Sequence, residues 1–286
     1  MIVVTGATGN VGRPLVAELA AAGERVVAVS RSVAAEGLPD GVVALRADLA
    51  GPAGLGALPA GARALFLMLA PEMNAPGPDA VPAAALLESA ARAGVRRVVL
   101  LSSLVTGTRP DETWHGRMAE FEAAVRGSGL EWTILRPGPF ASNAYAWAES
   151  VRERRTVSAP FGGVALPVLD PADVASVAAA ALRDGSGEHV GRVYELTGPE
   201  AIGPRRQAEV LGELLGEEVG FVEQTREEAR AELVRFMPPP VVDGTLEVLG
   251  APLPAESAPR PDVERVLGRP ARSFAAWAAG ALPAFR

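Results

Sequence analysis

Short, almost wholly apolar runs recur through the first half of this 286-residue chain, and helical-period stretches lie between them. The runs are "IVV" at 2–4, "VVAV" at 26–29, "VVAL" at 42–45, "ARALFLML" at 62–69, "RRVVLLSS" at 96–103 and "EWTILRP" at 131–137. A strand with one wet face alternates polar and apolar residues, and these do not. Strands buried on both faces belong to parallel sheets covered by helices on each side. The segments 11–22, 81–93 and about 113–127 carry their apolar residues at helical spacing. The pattern predicts an α/β fold, a doubly wound parallel sheet over residues 1–140.

Beyond Pro137 the rhythm changes. A helix is expected over 141–154, a strand at 164–170 ("VALPVLD"), a helix at 171–183 and a strand at 192–198 ("RVYELTG"). A helix at 204–215, a strand at 218–224 ("EVGFVEQ") and further helices follow, with "MPPPV" at 237–241 as a breaker between them. Residues 141–286 read as a smaller α/β lobe that binds substrate, caps the carboxyl edge of the strands and partly returns to the main sheet.

Composition removes several function classes. Hydrophobic residues make up 49% and charged residues 21%, as in ordinary globular domains. The net charge of −7 offers no general attraction for phosphate backbones or anionic lipid, so neither nucleic acid nor a membrane is expected as a partner. The basic run "RERR" at 152–155 stands among acidic residues and reads as a solvated face. With no cysteine there is no disulfide or thiolate chemistry, which suits a reducing cytoplasm. Residues 2–4 are too short for a secretory core, and no apolar run reaches a membrane span. No His/Asp/Glu group has metal-ligand spacing. All 27 basic residues are arginine.

The first apolar run leads into "TGATGNVG", with glycines at 6, 9 and 12 between a strand and a helix. Gly6 allows the tight turn, Gly9 lets backbone amides approach a pyrophosphate, and Gly12 allows close helix–strand contact. The phosphates would sit at the positive end of the helix, lined by Thr8, Asn10 and Val11. The alternative is a bare structural turn. Its place after the first strand of an α/β pattern favours a dinucleotide site of Rossmann type.

The second strand ends "VAVSRS". A site for NAD carries an acidic residue there to hold the ribose hydroxyls; this chain has Ser30 and Arg31. Arg31 either pairs with a 2′-phosphate or is a solvated surface residue. The reading prefers NADP(H), with NAD(H) as the alternative. Asp48 and Leu49 meet the adenine edge, unless Asp48 is a helix N-cap. Leu69, Ala70 and Pro71 would pass beneath the cofactor.

With "LLSS", "SGLEWTILRPGPFASN", "DPADVASVAAAAL", "YELTGPEAI" and "VLGRPARSFAAWA" following in order, the chain resembles the NmrA-like branch of the atypical short-chain dehydrogenase/reductases. The "WTILRPGPFASN" block carries more of this resemblance than the glycine motif, which many relatives share. The resemblance implies a Rossmann-type domain, NAD(P) binding and a substrate cleft between two lobes. It also implies a divided family, in which some members reduce quinones, azo dyes or other aromatic acceptors and others bind the cofactor as regulators.

Short-chain dehydrogenases carry a serine and a Tyr-x-x-x-Lys pair. Ser102 and Ser103 stand where the family serine belongs, Ser102 beside the cofactor and Ser103 as the catalytic hydrogen-bond donor. The pair itself is absent. Trp114 and Met118 fill its positions in "ETWHGRMAEFEAAV", and a chain without lysine cannot restore it in any alignment. Hydride addition to an isolated ketone makes a strongly basic alkoxide that needs a positioned acid. Addition to a quinone makes a phenolate-type oxygen, whose conjugate acid has a pKa of about 10. The sequence therefore points to conjugated acceptors, with Ser103 supporting the oxygen. His115 either supplies a proton or is a solvent-facing residue at a helix start. His189 reads as a surface residue.

Met73, Trp114, Phe140, Asn143, Tyr145 and Trp147 are the candidate substrate-binding residues, in a chain only 5% aromatic. A flat aromatic small molecule would stack among the rings. Trp114 and Trp147 are core residues on the alternative reading, and Asn143 either holds substrate or caps a helix. Arg136 reads as a structural ion-pair partner, while Pro137 and Gly138 carry backbone groups towards the nicotinamide. The sum is an NAD(P)H-dependent oxidoreductase acting on a planar conjugated carbonyl or quinone, with a homo-oligomer left open. The arginine- and alanine-rich composition suggests a GC-rich bacterial gene, and natural-product tailoring as a setting. The alternatives are an NADP(H)-sensing regulator without turnover and a non-redox lyase, cyclase or isomerase on the same scaffold.

Overall fold

The computed structural model describes residues 1–48, 58–69, 71–74 and 80–286. In chain order the elements are β1 (Ile2–Thr5), α1 (Gly12–Ala21), β2 (Val26–Ser30), β3 (Val43–Arg46), β4 (Ala64–Met68), α2 (Pro71–Asn74), α3 (Ala83–Arg92) and β5 (Arg97–Leu101). Next come α4 (Val105–Thr108), α5 (Met118–Gly127), β6 (Glu131–Pro137), a 3-10 turn at Ala141–Trp147, α6 (Ala148–Arg154) and β7 (Thr156–Pro160). Then follow α7 (Pro171–Arg183), β8 (Arg192–Leu196), α8 (Pro204–Leu215), β9 (Gly220–Gln224), α9 (Arg226–Leu233) and α10 (Pro239–Gly250). The short helices α11 (Pro254–Ser257) and α12 (Asp262–Leu267) precede α13 (Phe274–Ala281) and a final 3-10 turn.

The chain forms two compact units that interleave in sequence. The first contains residues 1–110, 116–137 and 171–195; the second contains 111–115, 138–170 and 196–286. Helix α7 and most of β8, which lie beyond residue 140, therefore belong with the first.

Among the described residues, the main sheet has seven strands in the order β3-β2-β1-β4-β5-β6-β8. The registers from β3 across to β6 are all parallel. This is the expected doubly wound α/β sheet. The strand order reverses between β1 and β4, and ligands of such sheets bind outside the carboxyl ends of the strands at that point. Backbone pairing of these two strands runs from Ile2↔Ala64 to Val4↔Phe66. Beyond it the Thr5 hydroxyl takes over, donating to the Phe66 carbonyl (3.0 Å) and accepting from the Met68 amide (2.8 Å). Val3, Leu67, Leu86, Val98, Leu100, Phe121 and Ile134 share one buried cluster, which packs α3 and α5 against the sheet.

In the second unit β7 and β9 pair in parallel. Val151, Val157, Leu211, Phe274, Trp277 and Phe285 form its main core. A smaller cluster of Ala229, Val242 and Leu246 joins α9 to α10, and Pro239 and Pro240 open α10, where a missing amide costs nothing.

Three sequence expectations shift. The helix expected from 113 starts at Met118, because Gly116 turns the backbone at φ +70°. The helix expected over 141–154 begins as a 3-10 turn. The expected strand at 164–170 is irregular, with isolated bridges from Leu169 to Phe140 and from Leu166 to Ile202, and Pro167 lacks a ladder donor.

Glu122 on α5 ties the carboxyl ends of β5 and β6 together. Its side chain is 2% exposed and accepts from Arg136 Nη2 (2.7 Å) and Arg126 Nη2 (2.9 Å). It also accepts from Arg136 Nε (2.9 Å) and Ser102 Oγ (2.7 Å). Burial pushes this carboxyl's pKa up; hydrogen bonds from Arg136 and Ser102 and the Arg136 charge outweigh that and hold it below the usual carboxylate range. A carboxyl depressed in the folded state adds stability above its unfolded pKa, and the contribution is lost as pH falls through the folded value. Glu122→Gln is expected to cost on the order of 3 kcal/mol at neutral pH. Urea denaturation should show that gap narrowing as the pH drops below about 4.5.

Candidate functional site

The site begins at the carboxyl end of β1. Gly6 takes φ +62°, and a Cβ on it would strike the side chain of Met68. The Gly9 amide donates to the Gly6 carbonyl (2.9 Å) and closes the turn. Gly12, the first residue of α1, lies so close that a Cβ would overlap the Gly6 carbonyl and stand 2.8 Å from the Ala7 Cα. Val11 at the N-cap offers no side-chain cap, and the first turn of α1 has no acidic residue. Arg13 in that turn donates to the Thr8 carbonyl (3.2 Å). A helix start pressed onto a glycine turn, with no capping side chain and no acidic residue in its first turn, fits a pyrophosphate by field and by space. The glycine-rich turn has the space and the field that a dinucleotide requires.

The turn opens into a cleft in the first unit lined by Gly6, Thr8, Gly9, Arg31, Asp48 and Met73, with Thr5, Ser30, Ser32 and Met68 beside them. Thr8 and Ser30 share a hydroxyl–hydroxyl bond (3.0 Å), and the Ser32 amide donates to the Ser30 hydroxyl (3.2 Å). No acidic residue stands at the end of β2, where Arg31 is exposed. Asp48 is exposed two residues after β3. Asn10 is exposed and Val11 buried beside the turn. Leu69 follows β4 half-buried and Pro71 opens α2; Leu49 and Ala70 lie outside the described residues. Met73, read from sequence as a substrate contact, lines this cleft with Arg31 and Asp48.

At the end of β5 the two serines separate in role. The Ser102 hydroxyl is buried and committed to Glu122, whereas Ser103 is half-buried just before α4. Arg136 has the structural ion pair expected of it, with Glu122 at 2.7 Å. The Pro137 carbonyl accepts from the Leu104 amide (2.9 Å), and the Gly138 amide donates to the Leu196 carbonyl (2.8 Å). His115 is buried rather than solvent-facing, 5% exposed and edge-on to Trp114 at 5.7 Å between centroids. The Trp114 indole lies on Gly244 of α10, where any Cβ would overlap it.

The other aromatic candidates belong to the second unit. Phe140 bridges to Leu169. Tyr145 is 44% exposed, edge-on to Trp277 (5.2 Å) and stacked on Phe285 (6.0 Å). Trp147 packs half-buried against the main core of that unit. Asn143 is exposed within the 3-10 turn and its amide donates to the Phe140 carbonyl (3.1 Å), so it is not a cap. His189 bonds the Tyr194 hydroxyl through Nδ1 (2.8 Å). Sequence reasoning missed Thr5, Ser32 and Met68, although their places at or beside strand carboxyl ends could have marked them. Among the described residues no group of three His, Cys, Asp or Glu side chains could hold a metal, and no helix is long and apolar enough to cross a membrane.

Residues 6–185 match a family described as NAD(P)H-binding. A reductase of (4-alkanoyl-5-oxo-2,5-dihydrofuran-3-yl)methyl phosphate from Streptomyces griseus is 38% identical, covering 100% of this chain and 99% of its own. The NAD(P)H azoreductase of Xenophilus azovorans is 32% identical over 100% of this chain and 99% of its own. The NADPH-dependent quinone oxidoreductase of Escherichia coli, solved with NADPH, superimposes with a TM-score of 0.78 at 26% identity, covering 99% of both chains. The chain thus belongs to the NAD(P)H-binding family.

Proposed function

We propose that this protein is an NADPH-dependent reductase of small, electron-poor conjugated acceptors. The observation that carries the reading is the missing Tyr-x-x-x-Lys pair in a chain whose glycine turn is intact: Trp114 and Met118 occupy its positions and no lysine exists. A protein with no phenol–ammonium relay can still reduce an acceptor that delocalises the incoming charge. The relatives above are named for an acyl-oxo-dihydrofuran, an azo compound and a quinone, and each offers a polarised π system to a hydride. The furanone reductase, from a Streptomyces, also supports a natural-product setting.

Bound NADPH supplies hydride. The residues of this chain do the rest. Arg31 would hold the 2′-phosphate, beside a β2 end that carries Ser30 and Ser32 in place of a carboxylate. The open end of α1 would hold the pyrophosphate. Ser103 gives its hydroxyl to the oxygen on which charge develops, since the Ser102 hydroxyl is already spent on Glu122. The product then takes one proton, which water supplies.

Fluorescence titration is expected to show NADPH bound more tightly than NADH, and Arg31→Ala to remove roughly tenfold to a hundredfold of NADPH affinity with little change for NADH. Absorbance at the nicotinamide band should fall when quinones, azo dyes or acyl-furanones are added. Ser103→Ala should lower kcat/KM about tenfold to a hundredfold. Binding of NADPH with no oxidation by any of these acceptors would instead identify a cofactor sensor, the reading that the missing relay also favours.

A further inference from the structure

The four-residue helix α2 carries Met73 into the nucleotide cleft, yet a single helical turn has no stability of its own. It is fastened from α5. Arg117, at the N-cap of α5, is 10% exposed at its side chain and donates Nη1 to the Met73 carbonyl (3.0 Å) and Nη2 to the Val81 carbonyl (2.8 Å). The Arg117 backbone amide meets Asn74 Oδ1 (2.9 Å) and the Asn74 carbonyl (3.3 Å). Gly116 lies so close to Asn74 that a Cβ would collide with it, and its φ of +70° favours glycine. Glu120 holds the guanidinium through Nε and Nη2, both at 2.7 Å, and accepts the Ala83 amide (3.2 Å) at the start of α3.

We propose that Arg117 is a positioning residue for the nucleotide: it fixes the Met73 backbone so that the thioether forms the wall of the cleft facing the adenine. The inference rests on the reading of this cleft as a dinucleotide site. Met73 shares the cleft with Arg31, Asp48 and Ala47, which stand at the ends of β2 and β3 where the adenosine half of such cofactors lies. A deformable thioether suits the face of a purine. Glu120 neutralises the guanidinium, so Arg117 acts through the planar fork that spans two carbonyls and a carboxylate, and not as a charge offered to phosphate. Lysine cannot reproduce that fork.

The test is a set of titrations of the full-length chain with NADPH and with 2′,5′-ADP, which lacks the nicotinamide. Arg117→Lys and Met73→Ala are each expected to weaken both ligands about tenfold. The double variant should be no worse than the weaker single, the signature of two residues acting through one contact. Asn74→Ala, which loosens the clamp from the other side, should follow the same pattern if Arg117→Lys folds poorly. The proposal is overturned if Arg117→Lys and Asn74→Ala bind both ligands like wild type, if the losses multiply in the double variant, or if only NADPH is affected. A wild-type chain that binds neither ligand would overturn the reading of the cleft itself, and with it this inference.

Discussion

Everything at the cleft depends on how closely α1 approaches the turn that precedes it. The Gly12 Cα lies against the Gly6 carbonyl with no room for a methyl group, so the helix starts directly over the end of β1. That contact aims the positive end of the helix at the point where the strand order reverses. Thr5 completes the arrangement, because its hydroxyl holds β4 to β1 just where backbone pairing ends. The opening of the sheet and the field that fills it are products of one close approach.

Arginine is the other organising device. In a chain without lysine, each buried cation is a planar fork, and the structure uses the fork to join elements. Arg136 and Glu122 connect β6 to α5, and Ser102 brings in β5. Arg97 pairs with Glu131 (2.7 Å) and donates to the Ala181 (3.2 Å) and Asp184 carbonyls, joining β5, β6 and the end of α7. Arg117 does the same for α2, α3 and α5. These are polar ties at the margins of an apolar sheet, each satisfying carbonyls or carboxylates that would otherwise be buried without partners.

The sheet and its glycine turn were legible because both follow local rules. Buried parallel strands read as unbroken apolar runs, and glycines at 6, 9 and 12 answer needs set within a few residues. What could not be read depends on contacts between distant segments. Nothing local to "HGRM" announces that Gly116 and Arg117 receive Asn74, and so the helix starts five residues later than its periodicity suggests. Tyr145 has an aromatic side chain in a segment expected near substrate, but its ring neighbours Trp277 and Phe285 lie far along the chain. Met73 has the composition of an adaptable contact, and only the folded chain shows that it lines a cleft with Arg31 and Asp48. Strand β7 was missed because "TVSAP" ends in proline and gains its partner only at β9.

The interleaving of the two units has a consequence for how the molecule is made. Strand β6 ends at Pro137, but the strand beside it, β8, begins at Arg192. Until the ribosome has delivered the intervening excursion, β6 is an edge strand with open hydrogen-bonding groups, the kind of surface that templates mispairing. The first unit therefore cannot be finished as an independent amino-terminal module during synthesis. A truncation before β8 would leave that edge permanently bare, so the main sheet is complete only once the chain has passed through the excursion that interrupts it.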